Sequence, residues 1–189
     1  AVELTGRHML NNVLAATAVA AIAKVRPSAM VEALRGFRGL PHVMEPVAAI
    51  GGVRFVNDSK ATNVEAAQRS IESFPQGLVA IIGGHFKGGD LRQLRDPLSV
   101  GAVAVVAIGA AASLVHEALE GVVPVLDAAS MREAVERGYE AAAPGGVVLL
   151  APACASFDWF RDYADRGDTF KSEVVRLKGA VESKGAQGT

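Results

Sequence analysis

The sequence predicts an α/β fold: a doubly wound, mostly parallel sheet flanked by helices, with a short helical segment in front of it. Three observations carry this. Five short apolar runs, Val53 to Val56, Leu78 to Ile82, Val103 to Ile108, Val122 to Leu126 and Val147 to Leu150, alternate with segments of helical periodicity near 64–74, 91–99, 110–120, 131–143 and 158–178. Alternation on that scale means βαβ units. Half of the 189 residues are hydrophobic but only 5% are aromatic, so the core is built from Ala, Val, Leu and Ile, as in buried parallel strands under alanine-rich helices. The polar clusters follow the first, second and last apolar runs, and in an open parallel sheet those strand ends are where ligands bind.

Taken in order, residues 8 to 36 read as helical. Leu14, Ala18, Ala21 and Val25 trace one stripe, and Pro27-Ser28 breaks the helix and opens a second that ends near Gly36. Gly39-Leu40-Pro41-His42 reads as a linker. Val53 to Val56 is then the first buried strand, followed by a helix in which Ala67, Ile71 and Phe74 recur at helical spacing. Asp90 is placed to cap a helix beginning at Leu91, and Ser130-Met131-Arg132-Glu133 is a capping box. Trp159, Phe160 and Tyr163 form an aromatic face on the last helix, read as core with Tyr163 able to reach the ligand edge. The last ten residues read as a frayed tail. Ala1 to Gly6 look like the middle of a strand and turn, and the chain reads as a fragment of a longer polypeptide.

Charge and composition exclude several classes. With 19 basic and 20 acidic residues and a net charge of −1, the chain has no electrostatic footprint for nucleic acid or for an anionic membrane surface. No apolar stretch reaches the ~18 residues of a membrane span. Cys154, the single cysteine, excludes an intrachain disulfide framework and fits a reducing compartment, so a cytoplasmic location is expected. Its apolar neighbours make it a small buried filler rather than a reactive thiol. His8, His42, His85 and His116 show no metal-ligand spacing and read as surface or linker residues. There is no Gly-x-Ser-x-Gly elbow, which argues against a serine nucleophile.

The most informative stretch is Asn57-Asp58-Ser59-Lys60-Ala61-Thr62-Asn63. It joins a strand end to a helix start, where free backbone N–H groups and the helix dipole favour anions, and it adds an ammonium, two hydroxyls, a carboxylate and two amides. That set suits a ribose, a phosphate or a carboxylate. A simpler reading stands beside it: Thr62-Asn63-Val64-Glu65 fits a capping box. Capping does not account for Lys60, a cation where the dipole disfavours one unless an anion is near. After the second run, Gly83-Gly84-His85-Phe86-Lys87-Gly88-Gly89-Asp90 lets backbone approach a ligand and offers one cation, although its spacing fits neither the Walker loop nor the dinucleotide fingerprint. A flexible turn with a solvated lysine is the alternative. After the last run comes Pro152-Ala153-Cys154-Ala155-Ser156-Phe157-Asp158, in which Ser156 either caps the final helix or binds a ligand.

In order, Gly6-Arg7-His8…Asn12, Gly39-Leu40-Pro41-His42…Glu45, Asp58 to Asn63, Gly83-Gly84…Lys87-Gly88, and Pro152 to Asp158…Arg166-Gly167…Phe170 resemble the Mur ligases, on the branch that adds D-glutamate to the peptidoglycan precursor. The resemblance covers nearly the whole chain to about Leu177. It implies residues 1–41 as the end of a central ATP-binding domain, residues 42–178 as a Rossmann-like amino-acid-binding domain and residues 179–189 as a tail. It implies a D-glutamate pocket of Thr62, Lys87, Ser156, Phe157 and Tyr163. On the nucleotide side it implies Asp58 at the ATP ribose, Lys60 near the phosphates and Asn12 near the adenine. ATP with Mg²⁺ is the implied cofactor pair, with metal ligands and Walker loop outside this stretch, and UDP-N-acetylmuramoyl-L-alanine is the implied acceptor. The resemblance thus implies a cytoplasmic monomer that ligates through an acyl phosphate. Two positions depart from the family pattern, Met9 where it has Asn and Val43 where it has Arg, each losing a polar nucleotide contact worth about 1–3 kcal/mol. Two other readings remain: a folylpolyglutamate synthase-like ligase, and a non-catalytic module that binds a nucleotide or acidic metabolite.

Overall fold

The structure, a computed structural model, describes residues 7–187. Ala1 to Gly6, expected as strand and turn, lie outside the described residues, as does the side chain of His8. Two helices come first, α1 (Arg7–Ile22) and α2 (Pro27–Gly36), packed on each other. Pro27 opens α2 at a position where the missing N–H has no intrahelical partner to lose. The expected stripe is not covered: Leu14 on α1 is 59% exposed, and Val25, beyond the end of α1, is 42% exposed.

Six strands then form one sheet: β1 (Glu45–Ile50), β2 (Val53–Asn57), β3 (Leu78–Gly83), β4 (Ala102–Ile108), β5 (Val125–Ala128) and β6 (Val147–Leu150), in spatial order β1-β2-β6-β3-β4-β5. All neighbours are parallel except β1 and β2. Between the strands lie α3 (Val64–Ile71), a 3₁₀ turn (Leu91–Leu94) running into α4 (Arg95–Gly101), α5 (Ala112–Leu119), α6 (Met131–Ala142) and finally α7 (Tyr163–Gln187).

The central strands β3 and β6 are buried on both faces, so alternate residues feed two cores. Leu78, Ala80 and Ile82 pack with Ala67 and Ile71 of α3, Leu98 of α4 and Val115 and Leu119 of α5. Val79 and Ile81 pack on the other side with Met131, Ala134 and Val135 of α6 and with Phe170, Val174 and Leu177 of α7. Helices on both faces of a largely parallel sheet are the doubly wound arrangement expected.

Four departures have physical causes. β1 was not foreseen because its Glu and Pro break an apolar run; a sheet edge tolerates that proline, and the register shifts between Pro46 and Ala48. Gly51 and Gly52, both at positive φ, make the tight turn that returns the chain as β2. β5 starts at Val125 rather than Val122, after Pro124, whose carbonyl accepts from Val105 N–H. The last helix begins at Tyr163 rather than near 158, because Ser156 O accepts from Trp159 and Phe160 N–H in a separate turn and Asp162 Oδ1 caps Asp165 N–H at 2.8 Å. Trp159 and Phe160 therefore precede the helix rather than forming a face of it. At its other end α7 runs on through Gln187, where a frayed tail was expected.

Candidate functional site

The sheet order places β6 between β2 and β3, so the β2–α3–β3 connection passes over it. The carboxyl ends of these three strands adjoin, the setting in which open sheets bind ligands. Backbone hydrogen bonds knit their loops together: Ala153 N–H donates to Ala61 O (3.0 Å), Gly83 N–H to Pro152 O (2.9 Å), and His85 and Ala155 exchange a pair at 2.9 Å each. Gly84 permits this closeness. Its φ is +127°, and a Cβ there would lie 2.3 Å from Ala155 O, a contact no side chain tolerates.

In the β2 loop, Asn57, Asp58 and Ser59 are buried and held from within. Asp58 Oδ1 accepts from Met44 N–H at 3.1 Å, and Oδ2 accepts from the Ser70 hydroxyl. The Asn57 amide donates to Glu45 Oε2 and to His42 Nδ1, both at 3.0 Å. His42 is thus a buried residue of this network, 7% exposed, and not the surface or linker histidine the sequence suggested. Lys60 is exposed, its ammonium 4.8 Å from the centroid of the Tyr163 ring, a cation–π contact. That contact joins a residue expected on the nucleotide side to one expected on the amino-acid side.

The question of which residue caps α3 is settled by geometry. Asn63 Oδ1 accepts from Ala66 N–H at 2.8 Å, so Asn63 and not Thr62 is the cap. The half-buried Thr62 hydroxyl makes no hydrogen bond among the described residues and remains available to a ligand. Replacing Asn63 by Ala should lower unfolding stability by about 1 kcal/mol, measurable by urea denaturation.

Lys87 stands exposed in the β3 loop without an ion pair among the described residues, close enough for its charge to bear on the Cys154 thiol. Ser156 is only 2% exposed, and its hydroxyl takes no partner among the described residues and caps no helix. Phe157 projects to solvent at 71%. Asp158 reaches across to the loop after β4, accepting from Ala110 N–H at 2.9 Å. Cys154 is fully buried, and burial, outweighing the nearby Arg166 charge, pushes its thiol up to about 11. It should therefore resist alkylation by iodoacetamide at pH 8 in the native protein and react only on unfolding, which mass spectrometry of the labelled chain reads directly.

Two residues were not singled out as site residues from the sequence: Ser59 and Arg166. Arg166 is fully buried on α7, and that burial lowers its guanidinium to about 10, so it is charged at neutral pH. A lone arginine in a helical pattern gives no signal of burial.

Asn12 takes no part in the hydrogen bonds that knit the strand-end loops. It is exposed on α1 and lines an apolar cleft of about 350 Å³ with Met9, Val13, Leu34 and Phe37 of the α1–α2 pair. Met9, where the family pattern has Asn, presents its sulfur 4.0 Å from the Asn12 amide nitrogen. A wider cleft of about 590 Å³ lies beyond the end of β5, between Ser130, Arg132, Trp159 and Glu173. Among the described residues no group of three or more His, Cys, Asp or Glu is placed to hold a metal ion, and no helix is long and apolar enough to cross a membrane.

Comparison with known proteins gives this geometry its family. The model of the Mur ligase glutamate ligase domain matches residues 44–154, which spans β1 through the β6 loop. The chain is 47% identical over 177 residues to the UDP-N-acetylmuramoylalanine–D-glutamate ligase of Solibacter usitatus, covering 94% of this chain and 40% of that protein. It is 49% identical over 181 residues to the enzyme of the same name from Acidobacterium capsulatum, covering 95% and 39%. The chain thus spans about 40% of the length of these curated relatives. Among solved structures, the MurF ligase of Thermotoga maritima in complex with ADP superposes with a TM-score of 0.61 at 19% identity, over 92% of this chain and 40% of that one, a likeness of fold. With the domain model matched across the sheet and site loops, and relatives sharing nearly half of its residues, the chain belongs to the Mur ligase family.

Proposed function

We propose that this chain is the carboxyl-terminal part of an ATP-dependent ligase that adds D-glutamate to UDP-N-acetylmuramoyl-L-alanine. In this reading residues 1–41 end a nucleotide-binding domain and residues 42–178 hold the amino acid. The observation that carries it is the convergence of the β2, β3 and β6 loops, with a Lys87 ammonium and Thr62 and Ser156 hydroxyls that take no partner among the described residues. D-Glutamate carries two carboxylates that need donors and an amine that must stay free. Lys87 makes a charge-assisted contact to one carboxylate, with Thr62 and Ser156 supplying neutral donors. None of the three is a base in contact with the amine, so the arrangement orients the nucleophile rather than activating it. Phe157 and Tyr163 close the pocket on its exposed side.

On the nucleotide side, Lys60 is the cation for phosphate and Asn12 with its apolar cleft takes the base. Asp58, held by Met44 N–H and the Ser70 hydroxyl, is the carboxylate this reading places at the ATP ribose. The ADP in the MurF neighbour and the ligase names of the relatives support ATP as co-substrate. Bound magnesium–ATP supplies the phosphoryl group that makes the acceptor carboxylate electrophilic; the residues described contribute no metal ligand set. The proposed location is the cytoplasm and the proposed state a monomer.

The test is an assay of the full-length protein containing this chain, following ADP release with UDP-N-acetylmuramoyl-L-alanine and each of D-glutamate, L-glutamate and D-aspartate. ADP release that depends on D-glutamate is expected. Equal rates with L-glutamate, or release independent of any amino acid, would overturn the reading.

A further inference from the structure

Arg166 is fully buried, yet it forms no ion pair among the described residues. Its donors go instead to two loops. Nε donates to Ser59 Oγ at 2.9 Å and Nη2 to Ser59 O at 2.8 Å, a two-point grip on the β2 loop, while Nη1 donates to Cys154 O at 3.1 Å in the β6 loop. Ser59 Oγ in turn donates to Tyr163 O at 2.7 Å, which ties the grip to the start of α7. The guanidinium also underlies the β3 loop: a Cβ on Gly84 would come 3.3 Å from Nη1. The neighbouring Gly167 lets α7 approach this closely, since a Cβ there would lie 2.2 Å from His42 Nδ1.

A buried cation without a carboxylate is a costly way to hold a helix on a sheet. Its planar fork, however, carries donors at fixed angles, and here it holds two separate loops at once. Ser59 immediately precedes Lys60, and Cys154 stands two residues before Ser156. We propose that Arg166 is a positioning residue that sets the β2 and β6 loops in register, so that amino-acid and nucleotide subsites are aligned by one guanidinium that touches neither ligand. This rests on the ligase reading above for what the two loops bind, but not for the register itself.

Two measurements on Arg166→Lys test it. A lysine keeps the buried charge but offers one nitrogen, which cannot span Ser59 and Cys154 as a fork does. In the full-length protein, KM for D-glutamate and KM for ATP should both rise at least tenfold. A purely structural role would lower the active fraction and so the apparent kcat, leaving both KM values in place. Both KM values within twofold of wild type, or a rise in only one, would overturn the proposal. The second measurement needs no activity: amide exchange of this chain should show residues 59–62 and 153–156 losing protection together while β4 keeps its own. Loss in one loop alone, or uniform loss throughout, would overturn it. Should Arg166→Lys not fold, Ser59→Ala removes only the Oγ contacts and should raise both KM values about two- to fivefold in parallel; an unchanged pair would then count as refutation. A wild-type protein without D-glutamate-dependent turnover would sink the ligase reading alone, and the exchange result would still decide the register.

Discussion

Replacing Lys87 by alanine in the full-length protein is expected to raise KM for D-glutamate by roughly 12- to 150-fold while KM for ATP stays within about threefold. The range follows from a charge-assisted contact worth about 1.5–3 kcal/mol, lost with its carboxylate partner left in the pocket. Lys87 is suited to produce so selective a change because it has no structural partner to release: it is exposed and forms no ion pair among the described residues. Steady-state kinetics with each substrate varied in turn checks this. An unchanged KM for D-glutamate would remove the β3 loop from the pocket. Lys60→Ala should act in the opposite sense, bearing mainly on ATP. Its contact with the Tyr163 ring leaves room for a smaller effect on the amino acid.

The second large effect is on stability. Gly84→Ala is expected to cost at least about 3 kcal/mol, combining backbone strain of about 1–3 kcal/mol at positive φ with displacement of a neighbouring loop. The added methyl would lie 2.3 Å from Ala155 O, and Ala155 O is the acceptor for His85 N–H in the pair that joins the β3 and β6 loops. Either the pair opens or the β6 loop shifts. Urea denaturation of this chain measures the loss. A change below about 1 kcal/mol would mean that the loops have slack and that their register is not set by this contact.

The strands that the sequence revealed best were those buried on both faces, because short continuous apolar runs such as Leu78 to Ile82, alternating with helical segments, read as buried parallel strands. Strand β1 was hidden by its position: an edge strand tolerates Glu45 and Pro46, and those residues erase the apolar signature. The Gly51-Gly52 turn was the available clue. The candidate site stands out in the sequence where its residues are chemically unusual for their place, as Lys60 is just before a helix start. It was illegible where function and structure use the same residue type. Thr62 and Asn63 both fit a cap, and only the hydrogen bond from Ala66 separates them. Ser156 fitted a cap in sequence and forms none. Nothing in the sequence around Asp58 shows that its oxygens accept from Met44 N–H and the Ser70 hydroxyl. Arg166 entered only through the family resemblance; its burial was hidden, since it depends on a loop 107 positions away in sequence as well as on the nearby β6 loop.

The claim that three strand-end loops form one amino-acid site is tested most directly by a crystal structure of the full-length protein with D-glutamate bound. One carboxylate is predicted within hydrogen-bond distance of Lys87 Nζ, with the Thr62 and Ser156 hydroxyls donating to the ligand and its amine left free of protein donors. D-Glutamate seated instead in the cleft between Arg132 and Trp159, or held without contact to Lys87, would contradict it.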